Sequence, residues 1–594
     1  MILRKIFFNA RLIIPGIILP VLFSCASYRG VTKHELRNHI KYLSSDSLKG
    51  RLTGSAGDSL AAEYIRNELA SDGLIPLVSD GSQKYTVTKR FLPGRRNSLK
   101  IGKLSYIQGK DFTPMLFSGD DSLSAEVVFA GYGFNIKSDT LTWDDYSGTD
   151  VKGKWVLLLR SDPDKEKGGG AFIKYSADRD KSLVAKDMGA AGILLVSGND
   201  DKSDEKADPP ETTGYSLGIP VFSIKRTLAD DILSGRRITL DSLERKLNRN
   251  RKPATFGTST VVSGRAELVR ETANTRNIAM ILPGEDPVLK NQYIIIGAHF
   301  DHLGMGGPGS SSRKQDTIAV HHGADDNASG VAMMLETAQK FAATKGSHRR
   351  SIVCVAFSGE EEGLLGSKQF VSDPHLDLSK VNAMVNFDMV GRLNEDKTLQ
   401  ISGVGTAAGL KNLVLSKADT SELKLALSDE GYGPSDHSSF YGKDIPVLFF
   451  FTGAHEDYHT PEDTYDAINY DGMIKISDLI FDIVYQLVNS DSTLSFREAG
   501  PKTPSATRMK GVTLGIMPDF AGVVKNGLRA DFVTPGRPAA VGGMKKGDII
   551  ISIEGKPVNN IEDYMFRMQQ VKKGQTITVE VLRNDKKLGL LIQL

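Results

Sequence analysis

Apolar and polar positions change their rhythm three times along the chain. Between about Val31 and Leu77 they follow a helical spacing, with Leu36, Ile40 and Leu43 behind His34-Glu35, then Ala61, Ala62, Ile65 and Leu69. From about Ser122 to Gly264 short β-rich runs take over, such as Ala125–Ala130 and Lys154–Leu159, broken by Gly, Asp and Ser clusters. From Asn277 to about Val488 apolar strands alternate with helices, the texture of an α/β doubly wound sheet. Residues 491–508, rich in Ser, Thr, Pro and charge, read as a linker. A compact β-rich unit closes the chain around Gly547-Asp548-Ile549-Ile550-Ile551. The expected organisation is an α/β domain, 31–121 and 265–490, split by a β-rich insert at 122–264, then a linker and a terminal unit at 509–594.

Residues 1–24 read as a targeting segment. Arg4, Lys5 and Arg11 precede a mostly apolar run, Leu12 to Phe23, too short to span a membrane. The ending Leu22-Phe23-Ser24-Cys25 resembles the lipobox of bacterial lipoproteins. That resemblance implies that Cys25 becomes the first mature residue and carries a lipid, tethering the protein to the bacterial cell envelope at the outer membrane. A plain signal peptide with an incidental cysteine is the other reading.

Composition narrows the function classes. With 594 residues the chain exceeds one hydrophobic core, and 40% hydrophobic with 25% charged residues excludes wholesale disorder. The 74 basic and 72 acidic residues leave no surplus to hold a polyanion, which argues against a nucleic-acid partner. Two cysteines exclude a disulfide scaffold, and Cys354, inside the apolar run Ser351–Phe357, reads as a buried structural thiol. Nine of the eleven histidines lie between His299 and His459, which is where chemistry is sought.

Four apolar runs in that region each lead into metal-ligand side chains. Tyr293–Ala298 leads into His299 and Asp301, and Ser351–Phe357 into Glu360, Glu361 and Glu362. Met384–Phe387 leads into Asp388, and Pro446–Phe451 into His455 and His459. A fifth set, Asp325-Asp326, opens the helical stretch Val331–Phe341. In an open α/β sheet the functional crevice lies beyond the carboxyl ends of the strands, so the four strand-end sets converge on one rim. Each member alone has an ordinary explanation: a buried histidine, a solvated charge run, a helix cap. Together, histidines and carboxylates without cysteine suit zinc or a similar divalent ion in a hydrolytic site. Glu360-Glu361 can supply one base and one ligand.

The segments His299-Phe300-Asp301, Gly323–Gly330, Glu360–Ser367, Asn386-Phe387-Asp388-Met389 and Tyr458–Thr464 resemble, in order, the M28 family of dizinc aminopeptidases. The resemblance implies the fold of the zinc-dependent exopeptidases and two zinc ions per chain. His299 and Asp388 would hold one, Glu361 and His459 the other, with Asp326 bridging. It also implies Glu360 as general base and acid, Asp301 orienting His299, Tyr432 steadying the oxyanion, and a cis peptide at Asp326–Asn327. Residues 122–264, with Ala130-Gly131-Tyr132-Gly133 and Gly189–Val196, resemble a protease-associated (PA) domain. Residues 509–594, with Pro535–Ala540 and Gly547–Ile550, resemble a PDZ domain, which implies peptide or protein C-termini as partners beside the peptide substrates. Two other readings stay open: a carboxypeptidase of the same fold, which needs arginines to grip a carboxylate, and a catalytically idle peptide-binding scaffold.

Overall fold

Local signals start the first helices. Thr32 caps α1 (Lys33–Leu43), its hydroxyl accepting the Glu35 N–H at 3.2 Å, and Ser55 does the same for α2 (Ala56–Ser71) with Asp58 at 3.2 Å. The computed structural model describes residues 30–138, 140–164, 171–199, 216–344, 346–500, 513–518, 526–533 and 536–594. The expected targeting segment 1–24, Cys25, residues 501–508 of the expected linker and residues 509–512 lie outside them.

The α/β domain is built on a nine-stranded mixed sheet. Its centre is β1 (Leu268–Leu282), β2 (Tyr293–His299), β3 (Ser351–Phe357), β4 (Val381–Phe387) and β5 (Val447–Phe451), in the spatial order β1-β3-β2-β4-β5. Strands β3, β2, β4 and β5 are parallel, and β1 is antiparallel to β3. Every residue of β3 and β4 is buried, as expected of parallel strands covered on both faces. On one face Ile294, Ile296, Cys354 and Val385 pack with α1, α2, α3 (Gly330–Ala343) and α4 (Tyr470–Asn489). On the other, Ile295, Val353, Val355 and Met384 pack with Phe370, Val371, Phe440 and Tyr441. The register fixes the rim: His299 pairs with Phe357, and Gly297 with Asn386, which carries His299 alongside Asp388.

The insert begins earlier than the sequence pattern placed it. Its eight-stranded sheet takes in Ser98–Ile101, Leu104–Ser105 and Phe112–Pro114, all within the stretch assigned to the α/β domain. Ser98–Ile101 pairs antiparallel with Thr255–Arg265, and Phe112–Pro114 with Val221–Ile224. Those partners are more than 100 residues away, so no local pattern reveals the pairing.

The terminal unit is a six-stranded sheet closed by the helix Ile561–Gln569, capped by Asn560. Residues 491–500 differ from the linker expectation: they are bound to the α/β domain. Arg497 N–H donates to Thr406 O at 2.7 Å, Ala499 N–H to the Tyr441 hydroxyl at 2.9 Å, and Phe496 bridges Ala407. Among the described residues no helix is long and apolar enough to cross a membrane.

Candidate metal centre

The four parallel strands end side by side, and the first polar residues beyond each end face one another. His299 closes β2, Glu360 and Glu361 follow β3, Asp388 follows β4 and His459 lies in the loop after β5. The segment Ala324–Ser329 brings Asp326 between them, just ahead of α3, and its Asp326–Asn327 peptide bond is cis.

Asp326 divides the donors into two sets. Its Oδ1 lies 3.3 Å from His299 Nε2, which is also 3.4 Å from Asp388 Oδ1. Its Oδ2 lies 3.2 Å from His459 Nε2, which is 3.2 Å from Glu361 Oε2. Four donors around a tetrahedral ion at about 2.0–2.2 Å sit about 3.3–3.6 Å apart, so both sets have the spacing of ligands to a common ion. The Nε2 of His459 is buried and makes no hydrogen bond despite those two carboxylate neighbours. A buried nitrogen without a hydrogen bond among converging carboxylates fits a cation at their centre. The residues present therefore fit two divalent ions.

Surrounding bonds aim these groups. Asp301 accepts the Glu360 N–H at 3.1 Å, the Glu361 N–H at 3.4 Å and the Thr53 hydroxyl at 3.0 Å, and its Oδ1 is 3.6 Å from His299 Nδ1. Asp463 accepts the N–H groups of Asp325 and Asp326 at 2.9 and 3.0 Å. The Ser435 hydroxyl donates to Asp388 Oδ2 at 2.7 Å and accepts from Asn386 Nδ2 at 2.8 Å. His459 Nδ1–H donates to Ser311 O at 3.0 Å, which points Nε2 inward. The buried Arg51 donates to the carbonyls of Phe300 at 2.7 Å, His322 at 2.8 Å and Gly323 at 3.0 Å, and to that of Leu43. It ties the β2 end to the loop carrying Asp326.

Burial and charge set the protonation. Burial, only partly offset by His299, pushes the Glu360 carboxyl well above the usual carboxylate range, with Asp388 and Glu361 adding to the rise. Burial opposes the charge on Asp326, but His299 and His459 prevail and hold it well below. Glu360 Oε2 stands 4.0 Å from His299 Nε2, beside the first donor set without joining it closely.

The expected site residues His299, Asp301, Asp326, Glu360, Glu361, Asp388 and His459 thus lie together. Tyr432 packs against the cluster containing Phe440 and Tyr441, and burial raises its pKa. Tyr458 is the phenol under the site's field, raised by burial and then by Asp326, Glu361, Asp388 and Glu360, and its ring stacks on His459 at 3.8 Å. His455 turns away to Asp325, 3.3 Å distant. Sequence reasoning missed His302, Ser435, Asp463 and Arg51. His302 stands one residue beyond Asp301, and its position in a strand-end motif was the available signal. Asp463 stands within the Tyr458–Thr464 segment, while Ser435 and Arg51 act through bonds to distant segments and leave no local mark.

Comparison with known proteins agrees with this geometry. Residues 277–484 match the family model of peptidase family M28, residues 123–232 that of the PA domain and residues 508–594 that of the PDZ domain. Aminopeptidase YwaD of Bacillus subtilis is 26% identical over 476 residues, 77% of this chain and 84% of that protein. Leucine aminopeptidase 1 of Blastomyces gilchristii is 26% identical over 255 residues, which is 40% of this chain and 62% of that protein. Among solved structures, BSAP, a zinc aminopeptidase from Bacillus subtilis, is 21% identical with a TM-score of 0.43, covering 78% of this chain and 98% of that one. The donor sets at the carboxyl ends of β2 to β5 lie within the stretch that matches peptidase family M28, so the chain carries an M28-like peptidase domain together with a PA domain and a PDZ domain.

Proposed function

We propose that this protein is a two-zinc aminopeptidase of the bacterial cell envelope, tethered through a lipid on Cys25, that removes N-terminal residues from peptides. The observation that carries the reading is Asp326, with one carboxylate oxygen toward each donor set and Glu360 beside the His299 set. The aminopeptidase name of a relative aligned over 77% of the chain supports the substrate class. Zinc held by these residues would polarise the scissile carbonyl and ease deprotonation of a water near neutral pH.

The chain's own groups do the rest. Glu360 takes the proton from the attacking water and returns it to the leaving amine, a role suited by a carboxyl whose pKa burial has raised. Asp301 holds His299 and, through the Glu360 and Glu361 N–H groups, sets the base relative to the reacting carbonyl. Tyr432, or Tyr458 from its position under the site's field, would hydrogen-bond the oxyanion. The PA domain would shape access to the rim, and the PDZ domain would take extended peptide ends by strand addition.

A carboxypeptidase finds less support. Arg392, the one arginine between Ser351 and His459, is paired with Asp457 and donates to Ala467 O, so it is not available to grip a substrate carboxylate. The deciding experiment incubates the zinc-supplied protein with an unblocked peptide and its N-acetylated twin and reads both by mass spectrometry. A ladder shrinking from the N-terminus of the free peptide alone is expected. Trimming of both from the C-terminus would overturn the reading.

A further inference from the structure

His302 is buried against the second donor set, and its contacts divide the two oxygens of Glu361. Glu361 Oε2 faces His459 Nε2 at 3.2 Å, the spacing of two ligands, whereas Oε1 lies 2.8 Å from His302 Nδ1, a hydrogen-bond length. His302 Nδ1 stands farther from the bridging carboxylate, at 3.8 Å from Asp326 Oδ2. Resting on the two-zinc reading above, we propose that His302 is a positioning residue: its Nδ1–H holds the outer oxygen of Glu361, so that Glu361 meets the second ion through Oε2 alone.

The tautomer argues for this role over direct ligation. His302 Nε2 is buried and has no hydrogen-bond partner. With the proton on Nδ1, the imidazole donates to a carboxylate and hides only a lone pair. Were Nδ1 to give its lone pair to an ion, the proton would move to Nε2, where nothing accepts it. The ring is also fixed in place. The His302 N–H donates to Arg51 O at 3.2 Å, and the ring lies so close to Gly323 that a Cβ there would come 2.6 Å from Cδ2. Gly323 itself has a φ of +56°, so the loop that delivers Asp326 is shaped around this imidazole.

The consequence is a separation of roles between adjacent glutamates. Glu361 is pulled toward His302 and His459, leaving Glu360 on the His299 side as the free base.

The test compares wild type, H302A and H302N by competition titration with a zinc chelator and by the absorption spectrum of the cobalt(II)-substituted full-length protein. Asparagine places an amide N–H near the position of Nδ1 but does not supply an imidazole ligand. For H302A one of the two ions is expected to bind about 10–100-fold more weakly while the other stays within about threefold. For H302N both affinities recover to within about fivefold of wild type, and the cobalt bands keep their position. Equal weakening in both variants with shifted cobalt bands would make His302 a ligand and overturn the proposal. Wild-type affinities in H302A would overturn it as well. A wild-type protein that binds fewer than two ions would overturn the two-zinc reading and this inference with it.

Discussion

Asp301 shows how much one carboxylate does at the residue scale. It steadies His299 and also accepts the N–H groups of Glu360 and Glu361, so the metal side of the site and the proposed base share one anchor. Asp301→Asn keeps the volume but turns an N–H toward one of those donors. Activity is expected to fall about 10–100-fold, measured as kcat/KM with zinc in excess. Glu360→Gln removes the proposed proton carrier and leaves the donor sets intact. Its kcat is expected to drop about 10²–10⁴-fold at unchanged zinc content, read by peptide turnover beside metal analysis. Zinc loss in parallel with activity would make Glu360 a ligand instead. The positions of these groups were legible because each directly follows an apolar strand. Ser435, Asp463 and His302 were not, because a hydroxyl, a carboxylate or an imidazole gains its role only from the atom it meets.

At the scale of elements, Arg51 binds the turn after α1 to the end of β2 and to the loop that carries Asp326. Its planar guanidinium reaches four carbonyls in different directions, which the three clustered protons of a lysine cannot. Arg51→Lys should therefore cost about 2–4 kcal/mol in urea unfolding, through carbonyls left buried and unpaired. In the PA domain, burial raises Asp145 to about 7, against the bond it accepts from the Phe134 N–H at 3.0 Å. A raised folded-state pKa means that the native state keeps its proton longer than the unfolded chain. The stability contribution is thus full below about 4 and is lost as pH rises through about 7. Asp145→Asn is expected to flatten the decline of the PA-domain unfolding midpoint between pH 4 and 7; an unchanged slope would rule Asp145 out as its source. Helix and strand types were readable from periodicity, but strands Ser98–Ile101 and Phe112–Pro114 were assigned to the wrong domain. Alternation records which residues are buried, not which sheet buries them.

At the scale of the whole molecule, the PDZ unit is packed on its neighbours. Arg567 pairs with Asp187 through Nη1 and Nη2, and Arg179 of the PA domain with Asp563 at 2.8 Å. Lys546 reaches Asp444 of the peptidase domain at 3.6 Å. The Arg567 and Asp563 side chains are almost wholly buried, so these pairs are not screened surface contacts. Asp187→Ala is expected to release the PDZ unit and enlarge the radius of gyration seen by small-angle scattering. A double-mutant cycle with Arg567→Ala should give a coupling of about 2–3 kcal/mol. An unchanged scattering curve would mean that the remaining contacts hold the unit by themselves.

The sequence by itself determined the alternation of strands and helices, the chemistry placed after each strand and the resemblance of three segments to three domains. Those follow from short-range rules, since burial periodicity, caps and strand-end residues are encoded within a few positions of one another. Tertiary structure alone decided which oxygen of Asp326 and of Glu361 faces which partner, and that the Tyr458 ring stacks on His459. It also decided that residues 491–500 lie on the peptidase domain. The physical reason is common to all three. Directions of side-chain atoms and pairings across hundreds of residues are set by how loops pack, and no local pattern carries that information.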